Sequence, residues 1–165
     1  LGDVYKRQGI ISRMETIATN QEKTILQTIR SALGAPVRDP RQLSPLVLAY
    51  VGDTIYDLYV RTQLILTTDA TAHGLHMQAA QRVCAKGQAE ALRRIWDQLT
   101  EEEQGVYKRG RNSHMGTVPK NAAIQDYRAA TGLEALLGYL YLGGQDQRLT
   151  QLMGWLLGKQ EEDHG

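Results

Sequence analysis

The sequence predicts an all-α fold, on three observations. Helix formers dominate the 165 residues, the period-2 alternation of strands is hard to find, and apolar residues recur at helical spacing in segment after segment. A chain of this length fits one domain, and with 42% hydrophobic residues it can bury a real core. No apolar run reaches the roughly 18 residues needed to cross a bilayer, and nothing has the layout of a secretory signal, so a soluble cytoplasmic protein without a membrane partner is expected. Cys84 is the only cysteine, which excludes an intrachain disulfide; between Val83 and Ala85 it reads as a small buried hydrophobe.

The elements follow in order. Leu1 to Gln8 has no amphipathic continuation and reads as a translated vector or adapter tail. Residues 1–13 are therefore expected to be a non-native or disordered tail, with Met14 as the natural start. The domain itself is expected over residues 14–160, with a polar tail at 161–165. Asn20 is a candidate cap for a first helix from Gln21 to Leu33, striped by Ile25, Leu26, Ile29 and Leu33. Residues 34–40, with a glycine and two prolines, form a connector.

Ser44 and Pro45 then mark the start of a central helix, as N-cap and first helical residue. Leu46 to Val51 is apolar on every side, which describes a helix enclosed by others. Asp53 follows at once, so the pattern buries one carboxylate in an apolar helix. An ionised carboxylate there costs several kcal/mol unless paired, hydrogen-bonded or bound to a metal. Gly52, mid-helix, is most simply explained by close packing against the backbone, and Asp57 shares the face of Asp53 one turn on. The plainer reading of Asp53 is a core aspartate satisfied by an arginine or a backbone donor.

Helical material continues from Ala72 to Leu99, with Gly87 as a possible dividing point. His73 and His76 stand one turn apart, but no third ligand has metal-site spacing, and a surface or helix-end role is expected. Thr100 to Glu103 is a capping box opening a helix to about Lys108. From Gln104 to Gln125 there is no acidic residue, while Lys108, Arg109, Arg111 and Lys120 fall inside with Asn112 and Asn121. The segment from Lys108 to Asn121 has the glycines and proline of an exposed loop, and its cations and amides suit phosphate and ribose oxygens. An ordinary solvated loop is the alternative. A helix opening near Asn121 carries Leu133, Leu136, Leu137 and Leu140 at helical spacing, with Glu134 among them and Gly143-Gly144 at its end. A final helix from Gln145 to about Leu157 closes the domain.

Two helices that each place one acid in an apolar face are expected to meet, since each acid would be unpaired alone. Two ionised carboxylates that close repel unless a proton or a cation lies between them. Oxygen-only ligands with open positions suit magnesium or manganese, and no histidine or cysteine in either stretch favours zinc. A hydrated divalent ion beside a basic loop is the minimum equipment for phosphodiester hydrolysis.

The stretch Leu48-Ala49-Tyr50-Val51-Gly52-Asp53-Thr54-Ile55-Tyr56 resembles the signature helix of ribonuclease III catalytic domains, and Leu133 to Leu140 resembles their second acidic helix. The join from Lys108 to Asn121 is similar to that of the short bacterial branch, Mini-ribonuclease III. The resemblance covers roughly Leu43 to Leu157. It implies a homodimeric helical bundle with two active sites along one groove and magnesium-dependent cleavage of double-stranded RNA, giving 5′-phosphate products; manganese is an expected substitute. For this branch it implies precursor 23S ribosomal RNA as substrate. Asp53 matches the family's catalytic aspartate and Glu134 its metal-binding glutamate, with Lys108, Arg109, Arg111, Asn112, Lys120 and Asn121 expected to grip RNA. Ala49 and Thr131 stand where the larger enzymes have a glutamate and an aspartate, leaving fewer metal ligands. A non-catalytic RNA-binding module of the same fold is the main rival, and a plain helical interaction domain the next.

Overall fold

The computed structural model describes residues 22–113 and 123–158, and all regular structure among them is helical. The chain divides into two compact units, Leu1–Pro36 and Val37–Gly165. The first contributes α1 (Ile25–Leu33), which starts later than the sequence suggests because Thr24 and Gln27 close a reciprocal capping box around its first turn. Gly34, with φ +61°, ends it in the left-handed conformation open to glycine. Asn20 and the 1–13 tail lie outside the described residues.

The second unit holds the rest. After a 3₁₀ turn at Pro40–Gln42 come α2 (Pro45–Thr67), α3 (Ala72–Val83), α4 (Ala85–Ile95), a second 3₁₀ turn at Trp96–Gln98, α5 (Glu101–Arg111), α6 (Ile124–Leu142) and α7 (Asp146–Leu157). Ser44 caps α2 as expected, its hydroxyl accepting the Val47 N–H at 3.3 Å. The 72–99 stretch divides at Cys84 rather than at Gly87. Cys84 is extended (φ −66°, ψ 155°) and forms the N-cap of α4, while Gly87 sits inside that helix. Cys84 is exposed, not buried, because it stands at the corner between two helices. The capping box of Thr100 and Glu103 is present.

The centre of the unit is α6. From Ala130 to Tyr141 every residue but Glu134 is buried, since α2, α4, α5 and α7 all pack around it. Helix α2 crosses it antiparallel at very short range. A Cβ on Gly52 would overlap the Glu134 carbonyl, and one turn away a Cβ on Gly138 would overlap the Leu48 carbonyl. Only glycine permits two helix backbones to touch at both points.

The apolar run Leu46 to Val51 is not enclosed all round. Leu48 and Ala49 are buried, but Val47 is 49% and Tyr50 86% exposed. With Leu58 and Ile65 these exposed side chains follow one face of α2.

Candidate active site

Asp53 and Glu134 line one cleft of about 700 Å³. The approach of Gly52 to the Glu134 backbone brings them together: the acid beside the glycine on α2 meets the acid on α6. Leu46, Ala49, Tyr50 and Thr54 complete the α2 side; Val83 and Ala85 come from the α3–α4 corner, and Tyr127, Ala130 and Thr131 from α6.

The two acids differ in setting. Asp53 is exposed, contrary to the expectation of a buried carboxylate, because nothing among the described residues covers the α2 face beside it. Glu134 is half-buried, and its carboxyl is pushed up to about 7, first by burial and then by the charge of Asp53; the Gln88 amide directed at it works the other way. No ion pair among the described residues involves either acid. The reading of Asp53 as a core aspartate answered by an arginine therefore does not hold. Asp57 is answered: Arg61 Nε donates to its carboxylate at 2.8 and 2.9 Å.

These residues fit a hard divalent cation. The facing donors are oxygens, the cleft is open to water, and a buried acid repelled by a second one is stabilised by a cation between them. Among the described residues no group of three or more His, Cys, Asp or Glu could hold a metal, so this chain offers the two carboxylates, with the Thr54 and Thr131 hydroxyls near. Ala49 and Thr131, the two departures from the larger enzymes, both line the cleft.

The basic segment begins as helix, not loop, because α5 runs three residues past Lys108. Lys108 Nζ lies 6.0 Å from the Trp96 ring centre, and the Arg111 guanidinium 5.6 Å from that of Tyr107. Arg111 Nε donates to Asn112 Oδ1 at 3.2 Å, and Asn112 caps the helix. None of Lys108, Arg109, Arg111 and Asn112 lines the cleft. Lys120 and Asn121 lie outside the described residues.

Sequence reasoning missed Gln88, which is buried on α4 with its amide donating to the Val83 carbonyl at 3.2 Å. Its signal was positional: Gln88, Leu92 and Ile95 share one face of α4, the face the core claims.

The ribonuclease III domain model matches residues 46–145. The chain belongs to the ribonuclease III family. Within it the Mini-ribonuclease III branch is the match. The chain is 49% identical over 111 residues to the Mini-ribonuclease 3 of a Thermoanaerobacter species, covering 67% of this chain and 78% of the relative. With the Mini-ribonuclease 3 of Enterococcus faecalis it shares 45% identity over 125 residues, covering 74% and 95%. A crystal structure of a Fusobacterium nucleatum protein superposes with a TM-score of 0.64 at 30% identity, over 71% of this chain and 93% of that one. As a member of this family the chain is an endoribonuclease, and no helix among its described residues is long and apolar enough to cross a membrane.

Proposed function

We propose that this endoribonuclease cleaves double-stranded RNA with magnesium, or manganese in its place, held by Asp53 and Glu134. The observation that supports this most is the pair of carboxylates lining one open cleft, neither of them ion-paired among the described residues. A hydrated divalent ion held there supplies a water of lowered pKa and stabilises charge during in-line attack on phosphorus. Asp53 brings a hydrated negative charge to the cleft mouth. Glu134 projects from the helix whose neighbouring residues are all buried, so its backbone is fixed while its carboxyl reaches solvent. The resemblance to the family supports products with a 5′-phosphate and a 3′-hydroxyl.

RNA is gripped, on this reading, by Lys108, Arg109, Arg111 and Asn112 at the end of α5 and by Lys120 and Asn121 beyond it. These residues read phosphates and 2′-hydroxyls, hence duplex shape more than base sequence. The working unit is a homodimer. Val47, Tyr50, Leu58 and Ile65 give α2 an uncovered apolar face, and Asp53 stands at its edge, so a second copy docked there brings two clefts toward one groove. The resemblance to the Mini-ribonuclease III branch supports precursor 23S ribosomal RNA as the substrate, with the cytoplasm as the proposed compartment.

The test compares wild type with Asp53→Asn and Glu134→Gln on duplex RNA in magnesium. Each substitution is expected to lower the cleavage rate by about a thousandfold or more, with duplex retained in a gel shift. Cleavage that survives both removes this site. Salt-dependent binding with no cut products from the wild type would instead leave an RNA-binding module.

A further inference from the structure

The α3–α4 corner that walls the acid cleft with Val83 and Ala85 also gives Arg82 to a second cleft, of about 320 Å³. Helix α2 brings Tyr56 and Gln63 to it, α4 brings Arg94, and Leu156 and Leu157 come from the end of α7. Its lining is the reverse of the first: two guanidinium groups and, among the described residues, no Asp or Glu.

Neither arginine is spent on an acid, since no ion pair among the described residues involves Arg82 or Arg94. Each is held instead by one neutral partner. Arg82 Nη1 donates to Gln63 Oε1 at 2.5 Å, and Arg94 Nη2 donates to the Leu156 carbonyl at 3.0 Å. Gln63 is fixed in turn, its Nε2 donating to the Leu157 carbonyl at 2.9 Å. These bonds steady each guanidinium through one nitrogen and leave the other donors of its planar fork for a further acceptor. Fastening the end of α7 explains the bonds but not two like charges at one cleft with no acid to offset them.

Tyr56 adds an independent observation. It is 2% exposed and lines this cleft, yet its hydroxyl makes no hydrogen bond among the described residues. A phenol this deep ordinarily finds a partner, and phenylalanine would fill the same space without the polar atom. An anion with several acceptor oxygens and close to two negative charges answers all three side chains at once. A phosphate monoester has both properties, and arginine forks match its oxygens; a carboxylate brings one charge and two oxygens. The volume is at the small end for a ligand cleft, which suits a phosphate group rather than a duplex.

We propose that Arg82, Arg94 and the Tyr56 hydroxyl form a binding site for a phosphate monoester or free phosphate, separate from the cleft of the two acids. It does not depend on the reading of Asp53 and Glu134 as metal ligands.

The experiment is calorimetric titration of the full chain with inorganic phosphate at pH 8 without divalent metal. Wild type is expected to bind, and Tyr56→Phe, which keeps the ring, to bind about tenfold more weakly with little change in melting temperature. Arg82→Met is expected to lose at least as much. If Arg82→Met does not fold, Tyr56→Phe still decides. The double variant Lys108→Met and Arg111→Met, which empties the other cluster of cations, is expected to bind phosphate as wild type does. Loss of binding there, with Tyr56→Phe and Arg82→Met binding as wild type, places the phosphate on α5 and overturns the proposal. Acetate binding as tightly as phosphate makes this a carboxylate site and overturns it too, as does the absence of any phosphate binding by wild type. A short RNA strand with a 5′-phosphate distinguishes the sources. If it displaces phosphate and its 5′-hydroxyl twin does not, the site stands and takes an RNA end; if neither does, the site stands and takes free phosphate.

Discussion

Two glutamates on adjacent helices, Glu103 on α5 and Glu134 on α6, are both drawn out of water and are answered in opposite ways. Burial pushes Glu103 up, yet the Arg148 hydrogen bonds at 2.7 and 2.9 Å and the Thr100 N–H outweigh it and hold the acid below its ordinary range. Arg148 in turn reaches the Gln98 carbonyl at 2.8 Å, so the ion pair also ties α7 to the start of α5. Glu134 has no ion pair among the described residues, faces a second acid, and rises to about 7. The contrast separates an acid that holds a fold together from one held ready at the fold's expense.

The largest effect expected is at the mounting of the second acid. Gly52→Ala drives a methyl group into the Glu134 backbone carbonyl, and neither helix can yield cheaply because α6 is packed on its other sides. A loss of about 4 kcal/mol or more is expected by denaturant unfolding, in the range of severe overpacking. A loss below about 1 kcal/mol would mean that the helices separate easily and that the two acids are not held in register.

Next comes conversion of one acid into the likeness of the other. Arg148→Met leaves Glu103, 5% exposed, with backbone and capping partners alone. Breaking such a pair is expected to cost about 3 kcal/mol near neutral pH, with cleavage per folded molecule unchanged. In the variant, burial is left with little to oppose it, so Glu103 should titrate above its ordinary value, as Glu134 does. Stability of the variant should then improve as pH falls toward 5, where wild type begins to lose what its ion pair contributes.

The reverse change acts on Glu134. Its folded pKa, about 7, lies above the ordinary 4.5. Its contribution to stability is therefore complete below pH 4.5 and is lost as pH rises through 7. Glu134→Gln removes the ionisable group, so at pH 8 without metal the variant is expected to be more stable than wild type by roughly 2 kcal/mol, the gain vanishing near pH 4.5. Melting curves across that range check the sign. Saturating magnesium should stabilise wild type and not the variant. A variant less stable than wild type at pH 8 would show Glu134 to be a structural acid like Glu103.

Much of this contrast was written in the sequence. Asp53 and Glu134 each interrupt an apolar helix beside a glycine, and the structure joins them through Gly52 and Gly138. The capping box at Thr100 and Glu103 was equally plain, since its residues are neighbours in the chain. The Arg148 partner was not, because 45 residues separate it from Glu103 and only the fold brings them together. The exposure of Asp53 was also hidden. Periodicity assigns residues to a face of a helix but does not say whether anything covers it, and Val47 and Tyr50 read as core although they are open in this chain. The break at Cys84 was missed because glycine is the stronger breaker by composition, whereas the fold turns the chain where an extended residue can cap the next helix.

The smallest effect sharpens the comparison at its structural end. Glu103 takes the Thr100 backbone N–H at 2.8 Å while the Thr100 hydroxyl takes the Glu103 N–H at 3.2 Å, so the acid is fastened by the start of its own helix as well as by Arg148. Helix α6 has no such fastening: Ala123, its N-cap, offers no side-chain acceptor, and Glu134 lies nearly three turns further on. Thr100→Ala removes one arm of the box and is expected to cost about 1 kcal/mol, the usual worth of an N-cap. The Glu103–Arg148 pair remains, so cleavage and manganese affinity should not move. A change in either at unchanged stability would show that the two acids communicate through α5 and α6, and that the division of labour between them is incomplete.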